Sequence, residues 1–107
     1  MGDDLRLALR YPFVRDVEVT DVESGVQISG QAGDLSLFGC GVRSRNLFPQ
    51  GTRVNVRISH ARQNFEAIGR IAYSREDLGM GIAFVSEEPE SDRILAWWIS
   101  DLARGLN

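Results

Sequence analysis

The stretch Arg53-Val54-Asn55-Val56-Arg57-Ile58 alternates polar and apolar side chains without a break. A period of two sets Val54, Val56 and Ile58 on one face and Arg53, Asn55 and Arg57 on the other, the pattern of a strand with one face in a core and one in water. The same period recurs to either side. Val17 and Val19 alternate with Asp16, Glu18 and Thr20, and Val26, Ile28 and Gly30 continue after a turn at Ser24-Gly25. Phe65, Ala67, Gly69, Ile71 and Tyr73 share one face, and Met80, Ile82 and Phe84 follow on the next strand. Turn formers separate the runs at Glu23-Ser24-Gly25, Pro49-Gln50-Gly51, Ala61-Arg62-Gln63-Asn64 and Arg75-Glu76-Asp77-Leu78-Gly79. About six strands at hairpin spacing predict an antiparallel sheet, and so many in a short chain favour a closed barrel, which leaves no sticky edge. The expected fold class is mainly all-β: a six-stranded antiparallel β-barrel followed by one helix.

The C-terminus changes period. Ser86-Glu87-Glu88-Pro89-Glu90 combines a helix stop, a proline suited to a first turn and acids that favour the positive helix end. From about Glu90 to Ala103, Ile94, Leu95, Trp98, Ile99 and Leu102 fall on one helical face, and Gly105 suits a C-terminal stop. That face should pack on the barrel. Trp97 falls on the opposite side, near Arg93, Ser100, Asp101 and Arg104. An aromatic beside arginines is the composition of an interface hot spot, so Trp97, Arg93 and Arg104 form a candidate partner surface.

At 107 residues the chain predicts a single domain spanning 1–107, with an arm over 1–10, a barrel over 11–86 and a helix over 87–104. One cysteine, Cys40, excludes an internal disulfide and a cysteine-rich zinc site, and the single His60 argues against a histidine metal site or a Ser-His-Asp hydrolase. No nucleophile, base and metal set coheres, so an enzyme is not expected. His60 in a polar turn reads as a solvated histidine, and Cys40 between two glycines as a small buried strand residue. No apolar run approaches the ~18 residues of a membrane span, and Met-Gly-Asp-Asp is no signal peptide, which predicts a cytoplasmic protein without membrane insertion.

Net charge is −3, unevenly spread: residues 76–107 carry seven acids against Arg93 and Arg104, and residues 1–75 carry ten Arg against eight acids. An acidic chain lacks the electrostatics of a nucleic-acid binder, while a small local anion site remains compatible with it. All 12 basic residues are Arg, the planar bidentate donor.

Two motifs offer such a site. Arg6-x-x-x-Arg10 supplies two guanidinium forks just before the first strand, each able to match two phosphate oxygens or the O6/N7 edge of guanine. Asp34-x-Ser36-x-x-Gly39 supplies a carboxylate that can accept from the N1–H and N2–H₂ of guanine, and a hydroxyl of the same parity, expected on the same face. Gly39 and Gly41 permit a bulge or close ligand approach. Either motif alone is weak: arginine pairs are common, and Asp, Ser and Gly are ordinary turn formers.

Together they resemble the PilZ family of bacterial cyclic di-GMP receptors, and the resemblance runs in order along nearly the whole chain. Arg10-Tyr11-Pro12-Phe13 is similar to the family's entry into its first strand. Asp34-Leu35-Ser36-Leu37-Phe38-Gly39-Cys40-Gly41-Val42 is similar to its most recognisable stretch. Gly51-Thr52-Arg53-Val54 and Gly79-Met80-Gly81-Ile82-Ala83-Phe84 resemble later strands. The resemblance implies a PilZ-type barrel with no cofactor other than its ligand, cyclic di-GMP. It implies that Arg6 and Arg10 grip phosphates and guanine edges, that Asp34 and Ser36 read a guanine, and that Gly39 leaves it room. Some members carry a further Arg before the first motif Arg and tend to bind a stacked pair of nucleotides; Leu5 stands there in this chain. The expected output is a signal passed to an effector protein, the arm ordering over the nucleotide. The alternative is an adaptor that contacts its partner independently of nucleotide.

Overall fold

The strand alternation becomes an inside and an outside. In the computed structural model, which describes residues 9–105, Val54, Val56 and Ile58 are fully buried while Arg53 and Arg57 are exposed. The elements are β1 (Tyr11–Asp21), β2 (Gln27–Leu35), β3 (Gly39–Arg43), β4 (Arg53–His60), β5 (Gln63–Arg75), β6 (Gly79–Glu87) and α1 (Pro89–Ala103). The strands close into a barrel in the order β1-β2-β3-β6-β5-β4, every neighbouring pair antiparallel. Closure occurs because β1 pairs with both β2 and β4, so each of the described strands has a neighbour on both sides. The non-local step is the crossover from β3 to β4, which buries Phe48 on the way; its N–H donates to the Met80 sulfur at 3.2 Å.

The helix lies against β5 and β1. Leu95 and Trp98 are buried, and Trp98 packs near Phe13 of β1 and Phe65 of β5, with ring centroids 5.6 and 6.3 Å apart. Ser91, also buried, accepts the Glu66 N–H at 3.1 Å and so ties the first helical turn to β5. Pro89 opens the helix, Glu90 and Asp92 place acids at its positive end, and Gly105 closes it at φ +74. The helix therefore starts one residue before the expected Glu90.

Two readings of the alternation, and the reading of His60 as a turn residue, change in the barrel. Val26 lies outside β2 and is exposed, because its carbonyl accepts the Asp21 N–H (2.8 Å) to close the β1–β2 turn. Tyr73 leaves the inward face of Phe65, Ala67 and Ile71: the β5–β6 register shifts between Ile71 and Tyr73, and one extra residue turns the side chain to the outside. His60 is not a solvated turn residue. It ends β4 half-buried, its ring edge-on to Phe13 and Trp98 (5.3 Å to each), and its Nδ1 accepts from Arg15 Nε at 2.7 Å. Sequence spacing hides this because Phe13, Arg15 and Trp98 meet His60 only after the barrel closes and the helix docks.

Candidate functional site

The Asp34 region is built by β2 turning into β3. β2 ends at Leu35, Ser36 N–H donates to the Gly39 carbonyl (2.9 Å), and Leu37 and Phe38 form the exposed hairpin tip. A register shift between Ala32 and Asp34 rotates Asp34 outward. There its Oδ1 accepts the Gly41 N–H at 2.7 Å, while Oδ2 lies 3.5 Å from Arg10 Nη1. The two motifs, 24 positions apart in sequence, thus meet across the β1–β2 pairing in which Pro12 lies opposite Asp34. Arg10 sits one residue before β1; Arg6 and Leu5 lie outside the described residues.

This contact is not a stability device. Both side chains are substantially exposed, 51% for Arg10 and 34% for Asp34, and surface pairs contribute only about 0–1 kcal/mol. What the geometry provides is orientation: the Gly41 N–H anchors one carboxylate oxygen and leaves the other turned toward the surface beside a guanidinium.

Ser36 occupies a different position from the one its parity suggests. The chain leaves the strand at Leu35, so alternation does not extend to Ser36, which is buried. Its Oγ accepts the Phe38 N–H at 3.1 Å and lies 3.4 Å from the Gly39 carbonyl, so the hydroxyl shapes the turn. Gly39 is the point where β3 meets β6: a β-carbon there would run into the Ile82 carbonyl oxygen, and only glycine admits that approach. Cys40, directly after it, is buried as expected. Burial first, and then the Asp34 charge, push its thiol up to about 12, against a smaller opposing effect of Arg10.

On the outer side of the helix, Trp97 is 58% exposed, and Arg93 and Arg104 are exposed as well. Arg104 pairs with Asp101 at 2.8 Å. Sequence reading singled out Gly41 for its lack of bulk and did not find the hydrogen bond that its backbone N–H donates to Asp34. Only strand pairing shows that the amide faces Asp34. Among the described residues no group of His, Cys, Asp and Glu is arranged to hold a metal ion.

These features coincide with a known family. A model of the PilZ domain matches residues 4–101, and the chain belongs to the PilZ domain family. Among solved structures, the PilZ domain of CeSA from a cellulose-synthesizing bacterium is similar at 20% identity and a TM-score of 0.69, over 89% of this chain and 98% of that one. The PilZ domain of YcgR from Escherichia coli, solved with c-di-GMP, is similar at 17% identity and a TM-score of 0.71, over 94% and 92%. The Bacillus subtilis inhibitor of motility MotI/DgrA is similar at 15% identity and a TM-score of 0.72, over 95% of this chain and 52% of that one. At these identities the likeness is one of fold. No curated protein matches the sequence.

Proposed function

We propose that this chain is a binding module for cyclic di-GMP that passes the signal to a partner protein. The observation that supports it is the meeting of Arg10 and Asp34, 3.5 Å apart on the outside of the barrel, with the carboxylate already anchored by the Gly41 N–H. A carboxylate held this way is preorganised to accept from the N1–H and N2–H₂ of a guanine, and a guanidinium beside it suits a phosphate. In this reading Arg10 leaves Asp34 for the phosphodiester, a guanine takes its place, and Arg6 joins the same anion. Ordering of residues 1–10 over the ligand and ligand binding are then one coupled equilibrium, which changes the surface offered to a partner.

Calorimetric titration with cyclic di-GMP tests the reading, and absence of heat at high micromolar ligand overturns it. Arg10→Ala and Asp34→Ala should each weaken binding by roughly 10–100-fold, from about 1.5–3 kcal/mol per charged hydrogen-bonding group. Unchanged affinity in both variants would move the site elsewhere.

The exposure of Trp97 favours a second reading, a nucleotide-independent adaptor. Capture of a partner with equal yield in the presence and absence of cyclic di-GMP, lost in Trp97→Ala, would select it over the first.

A further inference from the structure

The outer face of β4, β5 and β6 carries its charge in two separate bands. At one end Arg53 of β4 lies directly opposite Arg70 of β5, and both are exposed. Like charges in direct cross-strand register repel. Among the described residues neither guanidinium has an ion pair or a side-chain hydrogen bond. Asp21 and Glu23 share a hollow with Arg53, but Asp21 already accepts the Glu23 and Ser24 N–H groups of its own turn, at 2.9 and 3.4 Å. Four residues back along β5 from Arg70 the sign reverses. There Glu66 of β5, and Glu87 and Glu88 where β6 gives way to α1, border one hollow of about 390 Å³. Arg57, 3.8 Å from Glu66, also lies opposite Glu18 of β1, so acids predominate at this end.

Between the bands runs an uncharged row in which Asn55, Ile68 and Ser86 are aligned across the three strands. Ala67 is buried in the core beside Ile68, and alternation turns the half-buried Ile68 outward. Arg70 and Glu66 stand two residues to either side of Ile68, so opposite charges are equally spaced about an apolar centre. In the ring order β4 and β5 stand across the barrel from β3 and β2, which leaves this face clear of Asp34 and Arg10.

We propose that this face is the interface of a symmetric homodimer. A second copy laid face to face on it, about a two-fold axis that lies in the interface and crosses β5 at Ile68, runs its strands the other way. Ile68 then meets Ile68 of the second copy, and the Arg53–Arg70 band of each copy meets Glu66 and Glu88 of the other. Shape follows the same rule as charge: two long arginine side chains project at one end, and the acidic end is hollow to receive them. The contact relieves the repulsion within each band, which a single chain cannot do because the bands lie apart on the same strand. An unrelated acidic partner would need only the arginines. The equal spacing of both signs about Ile68 is what singles out a second copy of this chain. The association uses neither motif and needs no nucleotide.

Analytical ultracentrifugation of the full chain over a range of concentrations tests the proposal. The wild type should form a dimer whose dissociation constant rises with salt. Two double variants reverse one band each: Arg53→Glu/Arg70→Glu makes the face acidic throughout, and Glu66→Arg/Glu88→Arg makes it basic throughout. Each alone should weaken self-association at least about 100-fold, because it sets like charges against each other across the interface. Mixed in equal amounts, the two variants should recover a one-to-one dimer, since every acidic band then faces a basic one; the recovery also shows that both are folded. Trp97→Ala should dimerise as the wild type does. A wild type that stays monomeric up to about 1 mM overturns the proposal. So does a dimer that survives either double reversal, a mixture that fails to associate, or a dimer lost in Trp97→Ala, which would place the contact on the helix.

Discussion

Asp34 shows how much one side chain depends on a backbone group supplied from the neighbouring strand. Its carboxylate has a fixed orientation because the Gly41 N–H holds one oxygen at 2.7 Å, and that amide is available because β3 pairs with β2 at this position. Cys40 lies on the other side of the same strand and reports on this environment. Its thiol is pushed up to about 12 by burial and by the Asp34 charge, so the reactive thiolate is negligible at pH 8. Alkylation by iodoacetamide at pH 8 should therefore be undetectable in the native protein and rapid in denaturant; mass spectrometry before and after unfolding checks this. Asp34 and Arg10 were readable as candidates because their residue types carry chemistry on their own. Ser36 was readable as a type, but its placement was not: the turn after Leu35 takes it out of the strand alternation and buries it.

Among the elements, the β4–β5 hairpin holds the clearest local conflict. His60 pairs with Gln63, which leaves a two-residue turn of Ala61 and Arg62 at φ 54 and 63. Such a turn matches strand twist but favours Asn-Gly, because a β-carbon in the left-handed region costs about 1–2 kcal/mol per residue. The double variant Ala61→Asn/Arg62→Gly should therefore gain about 1 kcal/mol, a rise in melting temperature of about 4–8 °C by calorimetry. Local signals located this turn, the β1–β2 turn at Gly25 and the helix from its proline to Gly105, because capping and turn chemistry act within a few residues. The register shifts before Asp34 and Tyr73 left no such mark. A bulge is a relation between two strands, and neither strand's own alternation records it.

For the whole molecule, the barrel and the helix share one core. Phe65 is fully buried, with its ring centroid 5.0 Å from that of Phe84 on β6 and 6.3 Å from that of Trp98 on α1. Phe65→Ala should cost about 3–5 kcal/mol, and far-ultraviolet circular dichroism and tryptophan fluorescence should lose their signals in one coincident transition. A helix that melted first would show that the two parts stabilise themselves separately. The sequence by itself determined the strand number, the antiparallel class, the C-terminal helix with Leu95 and Trp98 facing inward, and the exposed position of Trp97. Those follow from periodicity and composition, which are properties of a chain read one segment at a time. Only the tertiary structure decided that His60 joins Phe13, Arg15 and Trp98, and that Arg10 reaches Asp34. It alone aligned Asp34, Gly41, Gly81 and Tyr73 in one row across four strands. Each of these is a juxtaposition of residues far apart in sequence, brought together by strand register and barrel closure.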